Sequence, residues 1–144
     1  MADIVPHDLF RAMGAGEIVI GTHTFKVGLY TSSATVGADN VGLSSLGATQ
    51  VANGNGYTTG GATVTVTVAD SDGSDNAAID SSDPSWTASG GDIGPFRYVV
   101  WYDDTHASDQ IVYELDLGAN KTILSGETWS VTVAATGLFT MAQA

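Results

Sequence analysis

The chain reads as an all-β protein, a β-sandwich or jelly-roll-like barrel with a short N-terminal helix. Three observations predict this. Residues 62–68 alternate strictly between small or β-branched apolar residues and threonine, the period-two pattern of a half-buried strand. Residues 95–102 and 111–117 are two strongly apolar segments joined by a polar loop, the pattern of a hairpin. About nine such short segments, separated by Gly, Ser, Asn and Asp turn signals, give the strand spacing of a sandwich or barrel. At 144 residues the chain suits one domain, spanning 1–144, with a sizeable core.

Taken in order, residues 6–13 predict the helix, with Asp3 ahead of it, Pro6 in the first turn and Gly14 at the stop. Leu9, Phe10 and Met13 form its apolar stripe. The segment 1–14 either caps the protein's own sheet or docks on a neighbour. Residues 17–20 and 22–31 read as the first strands, with Phe25, Val27 and Leu29 on one face. Residues 32–56 form a long irregular excursion that ends in Asn53-Gly54-Asn55-Gly56, a strong tight-turn signal. Loops of this length are usually functional or ordered by a partner. The alternating strand 62–69 follows, with its three valines on one face, and then an acidic loop over 70–83. Residues 85–88, 95–102, 111–117 and 128–135 predict further strands, and 137–141 closes the sheet. Trp129 is expected in the core beside Val131 and Val133.

One register suits the hairpin. Tyr102 opposite Ile111 and Tyr98 opposite Leu115 join Phe96, Tyr98, Val100 and Tyr102 to Ile111, Tyr113, Leu115 and Leu117 in one apolar face. The reverse face then carries Arg97 opposite Asp116, Val99 opposite Glu114 and Trp101 opposite Val112. That face is half apolar and needs a cover: a loop, the helix or another subunit.

Composition excludes several classes. Only Arg11, Lys26, Arg97 and Lys121 are basic, and the net charge is −12. Phosphate backbones and anionic membrane surfaces are both repelled, so neither nucleic acid nor membrane is an expected partner. Charged residues make up only 14% of the chain, which suits a surface that spends its life packed against others. The absence of cysteine removes disulfides, thiolate metal sites and thiol nucleophiles. No signal peptide or membrane-spanning stretch is visible, so synthesis in a cytoplasm is expected.

Motifs with possible chemistry all have plainer readings. Asp70, Asp72 and Asp75 resemble the opening of a calcium loop, with Asp80 and Asp83 as distant contributors. The glycine falls too early and no glutamate closes the loop, so a solvated acidic turn is the better reading. Ser108, His106 and Asp104 can be written as a triad, but near neighbours in one turn cannot hold triad geometry. His7 and His23 lack metal-ligand spacing. The threonine face of 62–69 is an ordinary solvated strand face. Trp86, Trp101 and Trp129 with the tyrosines could make a sugar platform, yet buried aromatics dominate β cores anyway. No catalytic residue, cofactor or metal site is expected.

Several landmarks occur in one order: the N-terminal helix, Phe25-Lys26-Val27-Gly28-Leu29-Tyr30, Gly56-Tyr57-Thr58-Thr59-Gly60-Gly61, Trp86-Thr87-Ala88, the run from Phe96 to Asp104, Leu115-Asp116-Leu117-Gly118, Ser125-Gly126-Glu127 and Gly137-Leu138-Phe139. The set resembles small virion structural proteins of tailed bacteriophages, of the capsid decoration, cement or tail-associated type. The resemblance covers nearly the whole chain. It implies an all-β particle component, assembled in the host cytoplasm, without catalysis and partnered by other virion proteins such as the major capsid protein or tail proteins. The first expectation is therefore a homo-oligomeric capsid decoration or cement protein on the particle exterior. The alternative is a carbohydrate-binding or host-recognition module of a tail or fibre. Ile4, Leu9, Phe10, Met13, Val41, Leu43, Leu46 and Trp101 are the candidate assembly contacts.

Overall fold

A computed structural model describes residues 2–70 and 76–142. In chain order the elements are β1 (Ala2–Ile4), α1 (His7–Gly14), β2 (Phe25–Tyr30), a 3-10 turn (Leu43–Leu46), β3 (Ala62–Val64), β4 (Val66–Asp70), β5 (Asn76–Ser81), β6 (Ser85–Thr87), β7 (Ile93–Asp103), β8 (Gln110–Ile123), β9 (Thr128–Ser130) and β10 (Phe139–Ala142). The fold is all-β. A five-stranded sheet, ordered β1-β8-β7-β2-β3, packs one face against a three-stranded sheet, β10-β5-β4, and a two-stranded one, β6-β9. Phe25, Val27, Leu29, Val99, Trp101, Tyr113 and Leu115 of the large sheet meet Val66, Ile79 and Trp86 of the small ones in one core.

The large sheet is covered on its other face as well, by its own chain. Tyr30, Tyr98, Val100 and Ile111 pack there against Ala34 and Leu46, with Val36 and Leu43 at the edge. The covering segment, residues 31–51, is hydrogen-bonded at both ends. Thr31 donates to Thr49 O and Val51 to Leu29 O, each at 2.9 Å, while Ile111 donates to Val41 O at 2.8 Å. The long irregular excursion thus covers the face of Tyr98, Val100 and Ile111, whereas Val99, Trp101 and Val112, from the face expected to need a cover, lie in the core between the sheets.

The hairpin register is where the structure departs most from expectation. Tyr102 does pair with Ile111, but a bulge follows, and Trp101 pairs with Tyr113, Val99 with Leu115 and Tyr98 with Asp116. Val112 is the extra residue, and the pairings from Trp101–Tyr113 to Tyr98–Asp116 slip by one, with further shifts that place Phe96 opposite Lys121 and Ile93 opposite Ile123. The slip exchanges faces. Trp101 and Val99 point into the inter-sheet core with Tyr113 and Leu115, and Glu114 comes opposite Val100 on the loop-covered face. Arg97 still reaches Asp116, through two hydrogen bonds of 2.8 and 3.0 Å.

Other differences have local causes. Residues 17–20 form turns, closed by the donation of Glu17 N–H to Ala12 O at 2.9 Å. The alternating strand divides at Thr65, because the chain passes there from the large sheet to a small one. Val64 and Val66 face the core on either side of that corner, while Val68 is 50% exposed on an edge strand. Residues 76–81, expected as part of the acidic loop, form β5, the central strand of its sheet, with Ile79 fully buried. The last predicted strand stops at Ser130. Its partner β6 is preceded by Pro84, which has no N–H to continue the ladder. Val131 donates to Pro84 O at 3.0 Å and Val133 to a side-chain oxygen of Asp83 at 2.8 Å.

Candidate functional site: an aromatic groove at the sandwich edge

Where the small sheets fail to meet, the inter-sheet core opens as a groove of about 750 Å³. One wall is the β1–β8 edge of the large sheet, contributing Asp3, Tyr113, Leu115 and Leu117. The opposite wall runs from Trp129 in β9 through the irregular segment with Val131 and Val133 to Phe139 at the start of β10. A volume of this order matches ordinary ligand and docking clefts. The groove exists because β9 is cut short at Pro84, so Val131 and Val133 line an opening and do not extend a sheet.

Rings run through it in contact. Phe10 meets Phe139 edge-on at 6.2 Å, Phe139 stacks on Tyr113 at 6.5 Å, and Tyr113 meets Trp101 edge-on at 5.5 Å. The series leads from a ring 47% exposed on the helix to an indole fully buried in the core. Trp101 Nε1 is held by donation to Ser81 Oγ at 3.0 Å. At the other end Trp129 stacks on Trp86 at 5.9 Å, with Lys121 Nζ 5.3 Å from its ring centre. Asp3 stands at the mouth beside the Tyr113 hydroxyl. Burial, and then that carboxylate, push the Tyr113 pKa upward.

The candidate assembly residues divide. Leu9, Leu46 and Trp101 are covered by their own chain, at 1%, 1% and 0% exposure, which removes them from any outer contact. Met13 and Leu43 are half-buried against the two cores, and Ile4 is half-buried in β1 opposite Glu114. Phe10 and Val41 remain well exposed. Trp129, expected in the core, is half-buried with Val131 and Val133 against it.

The 103–110 loop also has a different logic from the one its sequence suggests. Asp104 pairs with Lys26 at 2.8 Å, and His106 approaches Glu17 at 3.7 Å. The close carboxylate–imidazole pair is Asp103 with His23, at 2.5 Å. Asp103 also accepts the Thr105 and His106 N–H groups at 2.9 and 3.2 Å, so it closes the turn. Burial and the neighbouring Asp104 raise the Asp109 pKa. Among the described residues no group of three or more histidines and carboxylates is placed to hold a metal ion. Asp72 and Asp75 of the suggested calcium loop lie outside the described residues. Among the described residues no helix is long and apolar enough to cross a membrane.

The anchoring roles of two residues were not read from the sequence. Glu114 is fully buried, accepting from Asn40 Nδ2 at 2.7 Å and from Gly37 N–H at 2.9 Å. Burial raises its pKa, and the two donors work against that rise. Tyr57 buries its ring in the core, and its hydroxyl accepts from Leu29 N–H at 3.0 Å and Gln50 Nε2 at 2.9 Å. Glu114 depends on residues more than seventy positions away, and Tyr57 joins nearby Gln50 to Leu29 on a distant strand. Comparison with protein-family models, with curated proteins and with solved structures finds no match.

Proposed function

We propose that this chain is a structural subunit of a tailed-bacteriophage virion, a decoration or cement protein on the capsid exterior. What supports the reading is the use to which the fold puts the landmark residues. Gly56 and Gly61 sit where a Cβ would lie 2.1 Å from Thr87 O and 1.9 Å from Val27 O. Tyr57 ties the 50s loop to β2, the Tyr102 hydroxyl donates to Gly60 O at 2.6 Å, and Trp86 is buried. Residues that carry the resemblance are framework residues, as expected where a family shares an assembly role and no chemistry. The acidic surface suits a position facing solvent better than one facing DNA. Trp86 and Trp101 lie in the core, so the sugar-platform alternative loses two of its rings.

The test is the copy number of the chain in purified particles made from the genome that encodes it. Quantitative mass spectrometry should find it in a fixed, high ratio to the major capsid protein. Its absence from particles, or presence in only a few copies, overturns the decoration role.

A further inference from the structure

We infer that the aromatic groove is the docking site for an apolar, lysine- or arginine-bearing arm of a neighbouring particle protein. The inference rests on the virion reading for the identity of the partner, but the chemistry of the groove stands on its own geometry. The first observation is shape. An open cleft of about 750 Å³ reaches core rings, and the exposed Phe10 extends it across the helix through Phe139. Leu117, Val131, Val133 and Leu138, all only partly buried, give it apolar walls. Apolar surface arranged this way is what an extended chain covers with alternate side chains.

The second observation is charge, and it selects the occupant. The protein carries a net charge of −12 and four basic residues. All four are engaged within the subunit: Arg11 with Asp8 and Glu17, Lys26 with Asp104, Arg97 with Asp116, and Lys121 over Trp129. A second copy would bring the same excess of negative charge, with every lysine and arginine already engaged. The carboxylate at the mouth, Asp3, is exposed and stands beside aromatic rings. An exposed carboxylate beside the Tyr113 hydroxyl at the mouth of an apolar cleft is complementary to an ammonium or guanidinium group. Lys121 lies at the opposite end, so the cation of the arm belongs at the Tyr113 end of the groove.

The experiment uses the full chain and two capped synthetic peptides. One alternates valine and phenylalanine with lysine; the other replaces every lysine with glutamate. Binding is read by isothermal titration and by the emission of the groove tryptophans. The lysine peptide should bind, more weakly as salt rises, and the glutamate peptide should not. Asp3→Lys, at an exposed position, should reverse that preference with an unchanged melting midpoint. Leu117→Asp should lower affinity for the lysine peptide by about tenfold or more, the loss expected when a charge enters an apolar contact. Binding of neither peptide, equal binding of both, or an unaltered preference in Asp3→Lys overturns the inference. So does a concentration-dependent increase in mass that Leu117→Asp abolishes, since a second copy would then be the occupant. These outcomes are independent of the particle copy number. A chain abundant in particles that binds neither peptide defeats this inference alone.

Discussion

The two faces of the large sheet are both buried, but by different means. One is covered by strands, and the contacts there are mainly apolar: Leu29, Val99, Trp101 and Phe96 meet Ile79, Val66 and Trp86, with one buried hydrogen bond from Trp101 to Ser81. The other is covered by irregular chain, residues 31–51, and each stretch of it is fastened by a polar anchor. Glu114 holds Gly37 and Asn40, Asn40 also donates to Thr35 O at 2.8 Å, and backbone bonds hold Thr31, Leu43 and Val51. The difference follows from backbone accounting. A strand satisfies its own amides in a ladder, so its cover needs only apolar side chains. Irregular chain has no ladder, so its buried amides need partners supplied one by one.

The largest effect should come from the strand-covered face. Trp101→Ala removes a fully buried indole and leaves Ser81 without its donor. A loss of about 3–5 kcal/mol in chemical denaturation is expected, a large share of the ~5–15 kcal/mol of a domain. A midpoint close to wild type would remove Trp101 from the core.

The next comparison is direct. Leu29 and Leu46 are both buried, one on each side of the sheet. Leu29→Ala should cost about 3–5 kcal/mol, because the ladder holds the cavity open, and Leu46→Ala about 2–3 kcal/mol, because irregular chain can settle into it. Equal costs would mean that the loop is as rigid as the strands.

A smaller effect is expected at the anchor. Glu114→Ala strands the donors Gly37 N–H and Asn40 Nδ2, and should cost about 1–3 kcal/mol. Glu114→Gln reads the protonation directly. The folded pKa lies above the ordinary glutamate value of 4.5, so the native state holds this proton more tightly than the unfolded chain. The stability from that proton is fully present below the unfolded pKa and is lost as pH rises through the raised folded one. Asp8, Glu17 and Asp116 have lowered pKa values, through hydrogen bonds from Arg11, Arg11 and Arg97 in turn, and act in the opposite sense. Their contributions are present above their unfolded pKa values and lost as pH falls. Subtracting the Glu114→Gln curve from wild type isolates the anchor. Wild type should lose stability relative to the variant as pH rises above about 4.5. A flat difference would mean that Glu114 is no more buried than in the unfolded chain.

The same contrast explains what could be read in the sequence. The all-β class, the helix and the pair β7 and β8 follow from periodicity, which is a local property. For the face of Val99, Trp101 and Val112 only the need for a cover was legible, and nothing local said that strands of the small sheets meet it while residues 31–51 cover the opposite face. The bulge at Val112 carries no signal of its own, yet it brings Tyr113 and Leu115 to the side of Val99 and Trp101 and turns Glu114 to the loop-covered face. Strand β5 was hidden by the acidic residues around it, although Ala78 and Ile79 alone would support a strand. The groove was beyond reach because it depends on Pro84 stopping a ladder whose other strand begins more than forty residues later.

Amide hydrogen exchange on the isolated, dilute chain tests most directly whether residues 31–51 belong to their own subunit. Gly37 and Val51 N–H should be strongly protected in wild type. In Glu114→Ala, Gly37 should lose its protection while Val27 and Val99 on the central strands keep theirs. If Gly37 and Val51 exchange at unprotected rates in wild type, the loop is not a folded cover of the sheet. The long excursion would then be the part of the molecule that waits for a neighbour.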